Sequence, residues 1–153
     1  MRLWDYALAT YARPGVEAAC LVLQDDHDQC APLLLWRLWT LDEHRAVDDS
    51  LLDLATSAAR AWDEAAVAPL RQIRRDLKRS FPPMSDADRA ALRDEVKGAE
   101  LRAERLLLET LEALATAEGG QDVPPLQALE AAARAWGRPA PAHALLELVR
   151  AAI

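Results

Sequence analysis

The sequence is poor in the residues that build sheets. Val and Ile together number 9 in 153 residues, and aromatic residues number 8. Strands draw on β-branched and aromatic side chains, so a β-rich fold is excluded. Cysteine is nearly missing: Cys20 and Cys30 stand alone, too few for a disulfide scaffold that a chain of this size does not need. Long apolar runs are missing as well. The longest, Ala31 to Leu41, is broken by Arg37 and falls short of the roughly 18 residues of a spanning helix. Basic residues are outnumbered, 18 against 25, for a net charge of −7. That sign argues against general affinity for nucleic acid or anionic membrane. The opening run Met1-Arg2-Leu3-Trp4-Asp5-Tyr6 reaches a carboxylate at once and does not read as a secretory signal. The expectation is a cytoplasmic protein with reduced thiols and no membrane association.

What is abundant is Ala (32) and Leu (26), within a hydrophobic fraction of 52%. Both residues enter helices at little cost, and the fraction is enough for a core. The reading is therefore all-α: a single-domain bundle of six or seven helices over residues 1–153. Leu3, Ala7 and Tyr11 mark a first helix over 2–12. Pro14 opens a second, with Val16, Ala19, Cys20, Leu23 and His27 on one face, widened by Leu21 and Val22. Pro32 opens a third, 33–41, apolar nearly all round and so expected at the centre. Asp49 or Ser50 caps a fourth carrying Leu51, Leu54, Ala55, Ala58 and Trp62. Pro69 either kinks that helix or starts a new one, and a stripe of Ala66, Leu70, Ile73 and Leu77 continues beyond it. Phe81-Pro82-Pro83 ends it, giving a Pro-rich hinge near 81–84 between two halves. Ser85-Asp86-Ala87-Asp88 resembles a capping box and starts the longest helix, about 86–117, with Leu92, Val96, Ala99, Ala103, Leu106, Leu107, Thr110 and Leu114 as its stripe. That helix spans roughly 48 Å in a globule near 38 Å across. It must protrude, bend at Gly98, or pair with a second copy as a homodimer. Glu118-Gly119-Gly120-Gln121-Asp122 reads as a loop, followed by helices from Pro124-Pro125 to Trp136 and through Leu145, Leu148, Val149 and Ala152.

Two constellations stand out. The first is the run Arg71, Arg74, Arg75, Lys78 and Arg79, interrupted only by Asp76. Positions 71, 75 and 78 share a helix face opposite Leu70, Ile73 and Leu77. In an acidic chain this suggests an anion-binding face for a phosphate backbone, an acidic protein segment or a phosphorylated ligand. The plainer reading is cations favoured by the helix C-terminus or neutralising the chain's own acids. No aromatic residues interleave them, so a nucleic-acid stacking platform is disfavoured. The second is polar: Gln24, Asp25 and His27, with Asp26, Asp28, Cys30 and the Asp42-Glu43-His44 segment nearby in sequence. A metal centre would need four converging ligands, and Cys20 and His27 lie about 10 Å apart along one helix axis. No di-iron, zinc-protease, nucleophile-elbow, phosphate-loop or dinucleotide motif is present. No catalytic residue, metal or cofactor is assigned. The five tryptophans, Trp4, Trp36, Trp39, Trp62 and Trp136, are read as core, or as the lining of an apolar pocket.

Leu3-Trp4-Asp5-Tyr6-Ala7-Leu8, Tyr11-Ala12-Arg13-Pro14-Gly15-Val16, Leu23-Gln24-Asp25-Asp26-His27 and Leu33-Leu34-Leu35-Trp36 with Leu38-Trp39 resemble a family of small proteobacterial proteins of unknown function. Trp62, Pro69-Leu70-Arg71 and Arg74-Arg75-Asp76-Leu77-Lys78 are similar to its next block, so the resemblance covers about residues 2–80. Where that family has a Gly after the His and then an Asp-Val-Asn-like run, this chain has Asp28-Gln29-Cys30-Ala31-Pro32. The resemblance implies no reaction; it draws attention to Gln24, Asp25, His27 and the Arg74-Arg75 pair. The functional expectation is a non-enzymatic binding or adaptor protein using the basic face 71–79 against an acidic partner. The alternative is a small-molecule or metal-binding protein, or an enzyme, built around Asp25, His27 and the tryptophan-lined core.

Overall fold

The computed structural model describes residues 1–120 and 122–153; Gln121 of the expected loop lies outside them. The elements are α1 (Leu3–Tyr11), α2 (Val16–His27), α3 (Ala31–Asp42), α4 (Asp49–Trp62), a π-helical turn (Asp63–Val67), α5 (Ala68–Asp76), α6 (Asp86–Leu114), α7 (Pro125–Trp136) and α8 (Ala142–Ala152). Since α4, the π turn and α5 run without a break, the described residues form seven helical rods in one all-α domain.

The centre is α3. Its residues Ala31 to Thr40 are all buried, as expected of a helix apolar on every side. It packs against α1, α2, α4, α6 and α7, while α8 closes the bundle across α2 and α7. Each of Leu33, Leu34, Leu35, Trp36, Leu38 and Trp39 contributes roughly 1.5–3 kcal/mol by leaving water. From outside, Leu3, Leu23, Ala55, Ala59, Leu107, Leu111, Leu129 and Leu145 complete the same core.

Several boundaries differ from the sequence reading, each for a local reason. Gly15, at φ 89°, is the N-cap of α2, and the helix begins at Val16 rather than at Pro14. This left-handed conformation suits glycine. Leu21 and Val22 are 44% exposed and do not widen the buried face. The cap of α4 is Asp48, whose carboxylate accepts from the Leu51 N–H at 2.8 Å; Asp49 and Ser50 follow it inside the helix. Ser85 caps α6 as expected, its hydroxyl accepting from the Asp88 N–H at 3.2 Å. The long helix stops at Leu114, not at 117, because Ala117 and Glu118 turn back to pair with Ala46 and Arg45.

Pro69 sits in the first turn of α5, the new helix expected just before it, which begins at Ala68 and continues α4 through the π turn. The proline has no N–H to offer, and its ring crowds the carbonyl four residues back. The π turn over Asp63–Val67 widens the helix at that place. One extra residue in a turn rotates the downstream helix by about 100°. The expected stripe therefore loses phase. Ile73 is 47% exposed, and α5 has no fully buried residue. On α6, Ala103 and Leu107 of the expected stripe are buried, but Leu92 and Leu106 are exposed, and Glu100, Leu108 and Leu111 face inward.

One core residue breaks the apolar rule. Arg37 of α3 is 6% exposed and donates to the Thr40 hydroxyl at 2.9 Å. It has no carboxylate partner among the described residues, and burial lowers its pKa. Replacing a buried, uncompensated charge by an apolar side chain of similar length is neutral or favourable. Arg37→Met should therefore unfold in urea within about 1 kcal/mol of the parent, or above it. A loss well beyond that would reveal a compensating partner.

Candidate functional site

The π turn decides what α5 offers. With the phase advanced by one residue, Arg71 and Arg74 turn towards α6 and meet Glu100. The Arg74 guanidinium donates to both Glu100 oxygens. Arg71 lies 3.4 Å from Glu100 and 3.6 Å from Glu104. Glu100 is 7% exposed, a carboxylate placed in the interior and compensated by two arginines. Its hydrogen bond raises the Arg74 pKa further above its ordinary value. Arg75 points elsewhere and pairs with Asp25 of α2 at 2.7 Å, both partners being more than two-fifths exposed. Such a pair contributes about 0–1 kcal/mol. Arg79 stacks on Phe81, 4.6 Å from the ring centroid, and Lys78 lies beside it in the sequence, after the end of α5.

Three of the five candidate cations thus meet the chain's own carboxylates. Sequence reading missed Glu100 and Glu104. The available signal was their spacing: two acids at i, i+4 on α6, matching Arg71 and Arg74 or Arg75 on the preceding helix.

Beyond this knot, α5 and residues 86–99 of α6 form an arm with little apolar burial. Arginines from α6 hold its two helical segments together, Arg93 donating to the Arg74 carbonyl at 3.2 Å and Arg89 to the Lys78 carbonyl at 3.1 Å. These satisfy carbonyls at the α5 C-terminus, where intrahelical donors run out. The expected hinge 81–84 is the turn at the arm's tip. Residues 68–99 hold eight basic and five acidic side chains, while the rest of the chain holds ten and twenty. The arm exposes Ile73, Phe81, Met84 and Leu92.

The polar candidates divide. Asp25 belongs to the arm contact. His27 ends α2 and is half-buried, and Asp28 follows at φ 51°. Gln24 instead lines a cavity of about 180 Å³, shared with Trp4, Leu8 and Tyr11 of α1, Leu35 of α3, and Leu101 and Glu104 of α6. Burial pushes the Glu104 carboxyl above its usual range, although Arg71 pulls the other way. Burial likewise raises the Tyr11 hydroxyl. The remaining tryptophans are structural: Trp36 and Trp39 are core, while Trp62 and Trp136 donate to the Ala103 and Asp28 carbonyls at 2.8 and 2.6 Å. Among the described residues no group of three His, Cys, Asp or Glu side chains is placed to hold a metal ion, and no helix is long and apolar enough to cross a membrane.

The sequence pattern of the family described as "Protein of unknown function (DUF2390)" matches residues 2–111. The chain belongs to this family. The match runs from α1 to the last turn of α6, so the core helix, the arginine–glutamate knot, the arm and the cavity all fall within it. No curated protein and no solved structure matches the chain.

Glu100→Gln should leave Arg74 without its carboxylate and Arg71 with Glu104 alone, and cost about 3 kcal/mol. Hydrogen exchange should quicken across residues 68–99 while α3 stays protected; uniform loss of protection would show that the knot does not anchor the arm specifically. The thiols give a separate check. Burial pushes both Cys20 and Cys30 up to about 12, leaving almost no thiolate at pH 8. Iodoacetamide should label neither in the folded protein and both in urea, as read by mass spectrometry.

Proposed function

We propose that the protein is a binding or adaptor protein that engages an acidic partner through the arm. The carrying observation is the combination found there: a net basic element on an acidic body, with four exposed large apolar side chains. Exposed apolar groups gathered on one element mark interaction surfaces, and aromatic, Met and Arg residues are the types enriched in them. In this reading Lys78 and Arg79 steer the partner electrostatically. Phe81 and Met84 seat in an apolar depression on it. Arg71, Arg74 and Glu100 set the arm's angle and do not touch the partner. The two free, buried cysteines suit a reducing, cytoplasmic setting. The alternative site on Asp25 and His27 has less support, because Asp25 is tied to Arg75 and most of the tryptophans are core.

A photo-crosslinking residue placed at Phe81 should capture an acidic protein in cells. The same residue at Leu54, a more exposed apolar position on the body, should not. Lys78→Glu with Arg79→Glu should reduce the Phe81 adduct at least tenfold while the thermal melt is unchanged. Equal capture at both positions sinks the proposal. Capture of a second copy of this chain alone would replace it with self-association.

A further inference from the structure

The cavity beside Trp4 has chemistry that the arm does not use. Apart from Gln24 and Glu104, and the Tyr11 hydroxyl, its lining is apolar. Arg71 stands 3.6 Å from one Glu104 oxygen, longer than a hydrogen bond, while an ionised carboxylate has about four acceptor positions. No closer cation approaches Glu104 among the described residues. Gln24 donates through Nε2 to Asp25 at 3.4 Å, which leaves its amide oxygen as an acceptor.

The walls point the same way. Trp4 and Tyr11 present rings whose faces attract cations. Trp4 already holds one, the Arg105 guanidinium 5.2 Å from its centroid, in the neighbouring cavity that both residues line. An anionic ligand would meet Glu104, with Arg71 already shared between Glu100 and Glu104. A neutral apolar ligand would cover the carboxylate without compensating it, which is unfavourable. A volume of about 180 Å³ equals the share of roughly six waters. That accommodates a short alkyl chain and is below the ordinary range of cofactor pockets.

We propose that this cavity binds a primary alkylammonium group, with Glu104 as counter-ion, Trp4 and Tyr11 as flanking rings, and Leu35 and Leu108 around the alkyl chain. The proposal is independent of the arm. The same group occurs on a free alkylamine and on a lysine side chain of another polypeptide.

Isothermal titration of the full chain decides it, using n-butylammonium, the neutral 1-pentanol, the anionic pentanoate, and Nα-acetyl-lysine methylamide. Butylammonium should bind saturably and at least tenfold more tightly than pentanol or pentanoate. Glu104→Gln should weaken the amine about tenfold, near 1.4 kcal/mol, and leave pentanol unchanged; Trp4→Leu should weaken it as well. Binding of the lysine derivative as tight as that of butylammonium would point to a polypeptide lysine, and its exclusion to a free amine. No saturable butylammonium binding, or equal binding of the neutral or anionic compound, overturns the proposal. The wild-type panel decides even if Glu104→Gln fails to fold.

Discussion

The whole architecture follows from a helix that must be covered on every side. Ten consecutive residues of α3 are buried, and several broad neighbours are needed to exclude water from a cylinder with no polar face. The chain uses α1, α2, α4, the inner half of α6, and α7 for this, with α8 bracing two of them. These neighbours enclose α3 without α5 or the outer half of α6, and α5 has no fully buried residue. The core is complete without these two segments, and they extend from it as an arm.

An arm without its own core needs another means of attachment, and charge supplies it. Glu100 lies where the arm meets the bundle and brings two arginines with it. Buried ion pairs are poor sources of net stability, but they discriminate strongly against wrong arrangements. Any other angle of the arm would leave a buried carboxylate unpaired. The knot thereby fixes direction, while the bundle supplies stability. The weaker Arg75–Asp25 pair adds a second point of contact 50 residues away in sequence.

Much of the fold was legible because it rests on local rules. The helix count, the Ser85 cap, the central position of α3 and the buried faces of α2, α7 and α8 all follow from periodicity and capping chemistry. The misplaced features each have a single cause. The Asp48 cap and the early end of α6 depend on which neighbour the backbone finds. The rotated face of α5 depends on a single wide turn that no hydrophobic pattern announces. The candidate site was legible by residue type and not by geometry: the arginines and Gln24 were visible, but the convergence of Trp4 and Tyr11 with Glu104 requires α1 to be packed on α6 first. Three of the five anion-binding candidates face their own chain because the sequence shows cations without showing what lies opposite.

The π turn has a consequence for how such a chain can switch. Rewinding Asp63–Val67 as an ordinary α-turn, with every residue kept, would turn the arm's first helix back by about 100°. Ile73 would swing towards α6, and Arg71 and Arg74 would swing out to water. A change of winding within five residues, with no change in any side chain, would exchange an interior anchoring face for an open cationic one. Deleting one residue from the turn, by contrast, would leave the face as it is, because the wide turn already absorbs that residue.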